Sequence, residues 1–310
     1  MKINDYRQSF NEGKIKKAEY IVNMYECWHK YLFDYADDLK NINISSIEIT
    51  DGEVFITTKD RLLKFCAIKK DRRVVPFSIM NFNDFEKVET DMVFKLLGNS
   101  PTVLDIGANI GWYSINIASS LKKSKIFSFE PIPNTFNFLK KNISVNMLKN
   151  IYPYNFGMSD KTGNFSFYFY PEGSGNSSMV NVSEREDIEI IDCQLSTIDD
   201  FCDEKKLNID FIKCDVEGAE YKAIIGGMKT LKRDSPILFI EILRKWAKKF
   251  EYDPNNLFSL LKNIGYVPFV IRKNKLFRFE FMNEKTLETN FFFLHNAKHK
   301  NIIKNIEIFD

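Results

Sequence analysis

Two hydrophobic periodicities alternate along the chain. Ile15, Ala18, Ile21, Val22, Tyr25, Leu32 and Phe33 recur at helical spacing with lysines and acids between them, which predicts one long amphipathic helix over residues 14–40. Its apolar stripe is expected to pack on its own domain or on a second copy of the chain. Ile47, Ile49, Val54 and Ile56 then alternate about Asp51-Gly52, a hairpin signal within residues 43–70. A short helix over 84–97 leads to Pro101. Beyond Pro101 the pattern changes to short β-type apolar runs separated by helical stretches. Strands are predicted at 102–107, 124–130, 151–156, 209–215 and 237–241, with helices at 110–121, 134–147 and 217–231. A helix at 255–264 and strands at 266–271 and 290–295 follow. Strands alternating with helices predict an α/β fold with a doubly wound, largely parallel sheet. An insertion before the fourth strand holds a Phe/Tyr-rich segment, 164–170, read as a hairpin. The polar loop Gly173-Ser174-Gly175-Asn176-Ser177-Ser178 follows it. The division expected is an N-terminal helix and β-hairpin extension, residues 1–80, and a main domain, residues 81–310.

Composition narrows the partners. Hydrophobic residues make up 44% and charged residues 28%, which excludes global disorder. Lys+Arg number 44 and Asp+Glu 42, so bulk charge offers nothing to nucleic acid. The five cysteines, Cys27, Cys66, Cys193, Cys202 and Cys214, form no C-x-x-C pair, and with three histidines no zinc spacing can be assembled. Reduced thiols, a polar start without an apolar leader core, and no run near the roughly 18 residues of a membrane span together predict a cytoplasmic protein.

The first chemical signal is Val103-Leu104-Asp105-Ile106-Gly107-Ala108-Asn109-Ile110-Gly111, at the first strand-to-helix turn. Gly107 permits a tight turn, Gly111 a close approach, and the helix start suits an anion. A dinucleotide fingerprint needs a middle glycine where Asn109 stands. That disfavours NAD and favours a smaller anion such as an amino-acid carboxylate, while Asp105 suits a cationic amine. The second signal is Phe127-Ser128-Phe129-Glu130-Pro131, where Glu130 ends the second strand and can accept two hydrogen bonds from a ribose diol. Either signal alone reads as ordinary structure: a solvated strand-end acid, a tight turn. On consecutive strands they point to adenosine carrying an amino acid, S-adenosylmethionine. The third signal runs Asp210-Phe211-Ile212-Lys213-Cys214-Asp215-Val216-Glu217-Gly218-Ala219-Glu220. Asp215 and Glu217 fall at the carboxyl end of a strand, where such sheets bind ligands. Glu220 reads as a helix-start acid. Glu241 closes a further strand.

VLDIGANIGWYS, FSFEP, FIKCDVEGAE and PILFIE together resemble the FkbM-type methyltransferases, class I S-adenosylmethionine-dependent enzymes, over roughly residues 84–295. The resemblance implies a Rossmann-like class I methyltransferase sheet and methyl transfer to a hydroxyl of a sugar or polyketide-type acceptor. It places Gly107, Asn109 and Gly111 along the methionine end of the cofactor and Asp105 at its amino group. Glu130 falls at the ribose, Gly157 at the adenine and Asp215 near the sulfonium. An alcohol acceptor loses a proton as it attacks, so a base is sought. Asp215 comes first and Glu241 second, then Lys213, which faces the same side as Asp215 and can orient an acceptor or serve as base, and His295 at the end of the last strand. No residue is assigned to a metal, although Asp215, Glu217 and Glu241 are the set a hard cation would use. The acceptor expected is a nucleotide-activated sugar for a surface polysaccharide. A polyketide or lipid acceptor, an NAD(P)-dependent oxidoreductase on a similar sheet, and a non-catalytic binding protein are the alternatives. A homodimer through the N-terminal helix is the expected assembly.

Overall fold

The computed structural model describes residues 2–307 apart from 174, 176, 182, 183 and 185–187. The chain opens with α1 (Ile3–Asn11), then α2 (Lys17–Met24) and α3 (Lys30–Asp38), joined by one π-helical turn at Tyr25–His29. The last three form one unbroken helical run, so the long predicted helix is present. Much of its apolar stripe faces solvent: Val22 is 58% exposed and Phe33 62%. A three-stranded antiparallel sheet follows, β1 (Ile44–Ile49), β2 (Val54–Thr58) and β3 (Lys64–Cys66). Then come α4 (Val75–Phe82) and α5 (Lys87–Leu96).

The main sheet uses β4 (Thr102–Ile106), β5 (Lys125–Phe129) and β6 (Ile151–Tyr154), with α6 (Trp112–Ser120) and α7 (Pro133–Val145) between them. A second small sheet interrupts: β7 (Gly157–Met158), β8 (Gly163–Phe169) and β9 (Glu189–Ser196). The segment read as a hairpin is one strand, β8, whose antiparallel partner β9 lies beyond the polar loop. No turn residue divides that run, so it extends straight and pairs at a distance. After α8 (Ile198–Lys205), capped by the Thr197 hydroxyl accepting from the Asp200 N–H, the chain returns through β10 (Phe211–Cys214). The helix predicted over 217–231 is split into α9 (Glu220–Ile225) and α10 (Met228–Asp234). Gly226-Gly227 lies at the break, where a Cβ on Gly226 would sit 2.0 Å from the Ser159 carbonyl oxygen. β11 (Ile237–Glu241), α11 (Arg244–Lys249), α12 (Pro254–Asn263), β12 (Tyr266–Arg272), β13 (Lys275–Arg278), β14 (Asn290–His295) and α13 (Lys300–Glu307) complete the chain.

The eight strands of the main sheet lie in the order β13-β12-β14-β11-β10-β4-β5-β6. β6, β5, β4, β10 and β11 are mutually parallel, and β14 runs antiparallel beside β11. The chain therefore winds outward from β4 to β6, crosses back, and winds the other way from β10. That reversal opens a crevice at the carboxyl ends of β4 and β10. Alternate strand residues feed opposite faces. Val103, Ile126, Phe211, Phe239 and Phe292 pack with α5, α6, α7 and with Ile44, Ile56 and Phe65 of the small N-terminal sheet. Leu104, Phe129, Ile212, Ile240 and Phe293 pack with α8, α9, α10 and α12. Both faces are covered, which is why these strands read as continuous apolar runs. Among the described residues no helix is long and apolar enough to cross a membrane.

Phe292 lies fully buried between β11 and β12, stacked on Phe239 with ring centroids 4.6 Å apart. Phe292→Ala is expected to cost about 3–5 kcal/mol, read as a lowered urea midpoint. A midpoint within error of the parent would show that the sheet face closes over the gap.

Candidate active site

The crevice holds a cavity of about 260 Å³. Its floor begins at the β4 turn. Gly107 has φ +76, and a Cβ there would stand 1.8 Å from the Asp215 carbonyl oxygen, so the turn passes directly over the end of β10. The turn is also tied sideways, since the Gly107 and Ala108 N–H groups donate to the Phe129 carbonyl. Asn109, at φ 50, donates its N–H to Glu130 Oε2 at 3.0 Å, and Ile132 N–H donates to Oε1 at 3.0 Å. Glu130 is 6% exposed and lines the cavity. Burial raises its carboxyl to about 7, against the two N–H donors that favour the anion. One lone pair on each oxygen is used by the backbone, and those remaining can accept from a diol.

Strand order sets the chemistry along the cavity. On the β6 side the lining is Pro131, Ile132, Gly157, Met158, Phe167 and Leu195, an apolar wall beside the β5 end. On the β10 and β11 side it is Glu86, Tyr113, Lys213, Asp215, Glu217 and Glu241. Lys213 is 6% exposed, and its ammonium donates to the Gly107 carbonyl at 3.1 Å and to Asp215 Oδ2 at 3.0 Å. Burial works against its charge, but Asp215, Asp105 and Glu86 outweigh it and hold the ammonium above its usual range. That pairing suits Lys213 to holding Asp215 in place, the orienting role, more than to serving as a base. Burial, with Asp215 adding repulsion, pushes the carboxyls of Glu217 and Glu241 upward. Glu217 Oε2 is sealed from solvent and has no hydrogen-bond partner among the described residues. Asp215, Glu217 and Glu241 each bring one oxygen within 4.8 Å of the others, a convergence that linear spacing does not show and that a hard cation can use. Glu220 does not join them. Its Oε1 accepts from the Val216 and Gly218 N–H groups at 3.1 and 3.0 Å and pins the 215–219 turn.

Of the expected residues, Gly107, Asn109, Glu130, Gly157, Lys213, Asp215 and Glu241 meet at one cavity. Three do not line it. Gly111 serves packing, because a Cβ there would lie 2.7 Å from Leu139 Cδ1 on α7. Asp105 points under the turn, where Oδ2 accepts from the Ser114 N–H at 3.1 Å and from its hydroxyl, and Oδ1 is buried with no partner among the described residues. His295 is carried to the other edge of the sheet. β14 runs antiparallel, so Asn290 pairs with Glu241 and His295 with Tyr266, about 17 Å along the strand at 3.3–3.4 Å per residue. Gly173, Gly175 and Ser177 of the polar loop reach the cavity, and the Ser178 hydroxyl donates to the Glu217 carbonyl at 2.8 Å. Ser174 and Asn176 lie outside the described residues. Asp71, Arg73, Glu86 and Tyr113 were missed. Tyr113 sits on the first turn after Gly111, which could have flagged it. An acid such as Glu86 at a helix start reads as an ordinary dipole complement, so it carries no signal in the sequence.

The reversal between β4 and β10, the antiparallel β14 and the cavity across the strand ends define a doubly wound, Rossmann-like methyltransferase sheet of class I. The chain belongs to the FkbM methyltransferase family, whose Methyltransferase FkbM domain matches residues 105–268. It is 25% identical over 173 residues to Methyltransferase sdnD of Sordaria araneosa, covering 46% of this chain and 67% of that one. It is 29% identical over 161 residues to 2-O-methyltransferase NoeI of Sinorhizobium fredii, 47% of this chain and 65% of the relative. It is 29% identical over 138 residues to Hexuronic acid methyltransferase AglP of Haloferax volcanii, 44% of this chain and 54% of the relative. The chain thus spans between about half and two thirds of the length of these relatives.

The two glycines of the first turn are expected to differ. Gly107→Ala meets rigid backbone and should lower the unfolding free energy by about 1–3 kcal/mol. Gly111→Ala meets the end of a leucine and should cost less, and Gly98→Ala, with nothing within 4 Å, should be near neutral. Thermal melts of the three variants read the order; a Gly111 variant worse than the Gly107 variant would contradict the geometry.

Proposed function

We propose that this chain is an S-adenosylmethionine-dependent O-methyltransferase acting on a hydroxyl of a sugar-like acceptor, with a nucleotide-activated sugar for surface polysaccharide as the preferred class. The observation that carries the reading is the gradient along the cavity, apolar at β6, a diol acceptor at Glu130, acidic at β10 and β11. The residues fit that cofactor. The apolar wall suits an adenine, and Glu130 keeps lone pairs for a ribose. The acidic end, where Glu217 Oε2 is buried with no hydrogen-bond partner among the described residues, suits a cationic centre. S-adenosylmethionine, when bound, supplies an activated methyl group, so the protein's task is mainly proximity and orientation. Glu130 and the Asn109 turn hold the nucleoside side. Lys213 fixes Asp215 at the lip of β10, where Asp215 and Glu241 orient an acceptor hydroxyl. The names of the relatives support oxygen as the target in one case and a hexuronic acid in another. Gly173, Gly175 and Ser177 present backbone and hydroxyl groups to the same cavity, which suits a polyol.

Purified protein incubated with radiolabelled S-adenosylmethionine and a panel of nucleotide sugars and simple alcohols is expected to label a sugar. Label on an apolar acceptor alone would overturn the acceptor class. In calorimetry, Glu130→Ala is expected to weaken cofactor binding by about 1.5–3 kcal/mol, the worth of hydrogen bonds to a charged group. Unchanged affinity would remove Glu130 from the ribose.

Asp215→Asn keeps shape while loosening the pairing with Lys213. It is expected to lower kcat about 10²-fold, the cost of roughly 1 Å of misplacement, with cofactor affinity nearly constant. Loss of cofactor binding instead would make Asp215 a binding residue.

A further inference from the structure

We propose that Glu86, held by Tyr113, is the group that takes the proton from the acceptor hydroxyl. The proposal rests on the O-methyltransferase reading and adds a residue that lies before the family-matched segment. Glu86 enters the cavity wall from the residue that caps α5, at φ 46. The Tyr113 hydroxyl donates to its Oε2 at 2.6 Å. Among the described residues Oε1 accepts no hydrogen bond, so one oxygen is anchored and the other is free.

The other carboxylates of the cavity are committed differently. Both oxygens of Glu130 are engaged by backbone N–H groups, and it stands at β5, on the ribose side. Asp215 is bonded to the Lys213 ammonium. Glu241 faces Asp215 and Glu217 within 4.8 Å, and burial together with Asp215 pushes its carboxyl upward. Glu86 is anchored instead by a neutral phenol, which positions a carboxylate without neutralising it.

The charged and titratable groups facing Glu86 are Asp215 and Lys213 from β10, Glu241 from β11, Glu89 from α5 and Tyr113 from α6. Burial raises its carboxyl to about 7, while the Tyr113 hydrogen bond and Lys213 pull it back and Asp215 pushes it further up. A base performs best with a pKa near the working pH. In the balanced step the acceptor O–H proton passes to Glu86 Oε1. The acceptor oxygen forms the new bond to the methyl carbon, and the S–CH3 bond breaks with its electron pair left on sulfur.

Three measurements test this. Glu86→Gln should lower kcat about 10²–10⁴-fold, with cofactor affinity by calorimetry within about threefold of wild type, and Glu86→Asp should recover part of the rate. The base works deprotonated, so kcat/KM should rise through an acid limb near 7. Tyr113→Phe removes a bond that favours the carboxylate and should move that limb to higher pH, with the rate recovered above it. In the cofactor-free protein, carbon-13 NMR of the Glu86 carboxyl should titrate near the same value and move up in Tyr113→Phe. Wild-type turnover that Glu86→Gln retains, or a Tyr113→Phe profile and carboxyl titration that do not move, would overturn the proposal. Loss of cofactor binding in a folded Glu86→Gln would do so too. Failure of the O-methyltransferase reading would look different, as no turnover by the wild type.

Discussion

A buried ammonium must find partners or forfeit several kcal/mol on the order of its effective desolvation penalty. Lys213 finds them in the Gly107 carbonyl and the Asp215 carboxylate, with Asp105 and Glu86 near enough to add to the attraction. Those contacts lock the turn after β4 to the end of β10, the two strands between which the sheet reverses. Lys213 thus ties the two strand ends together at the floor of the crevice, and its charge offsets the repulsion among the acids around it. The same row of the sheet carries Asp105 opposite Lys213 and Ser128 opposite Asp105, with the Ser114 hydroxyl joining the two. A polar seam under the turn therefore crosses a face that is otherwise apolar.

From that lock the rest of the cavity follows by strand order. Each parallel strand delivers its last residues to the same edge, and the five ends succeed one another from apolar to acidic. Two segments outside the parallel strands close it. Val74, Val75 and Glu86 form a wall from the chain before β4, and Gly173, Gly175 and Ser177 approach from the insertion, with Ser178 anchored on the Glu217 carbonyl. Residues 44–79 cannot be separated from this construction, because Ile44, Ile56, Phe65 and Ile79 share a core with Val103 and Phe211. The edge of β3 is held as well, by the side chains of Asn142 on α7 and of Asn146 just past its end, which accept from the Cys66 and Lys64 N–H groups.

The local grammar of the chain was legible in the sequence. Continuous apolar runs located the strands of the main sheet other than β13, and period-3.6 patterns located α6, α7 and α12. A glycine at a strand end announced a turn that only positive φ allows, and acids at strand ends announced Glu130, Asp215 and Glu241. These are short-range constraints, set by backbone sterics and by which face each residue presents, and they act within a few residues of one another. Tertiary structure decided everything that depends on which strand lies beside which. Antiparallel pairing of β14 removed His295 from the site, although it ends a strand as Glu241 does. Packing against Leu139 made Gly111 a helix-contact residue. The fold set the Lys213 ammonium against Asp215 and the Gly107 carbonyl. Asp215, Glu217 and Glu241 converge, and Glu86 meets Tyr113, because the sheet and α5 bring distant segments to one edge. The distances between those side chains arise from sheet order and helix packing, and no spacing along the chain encodes them.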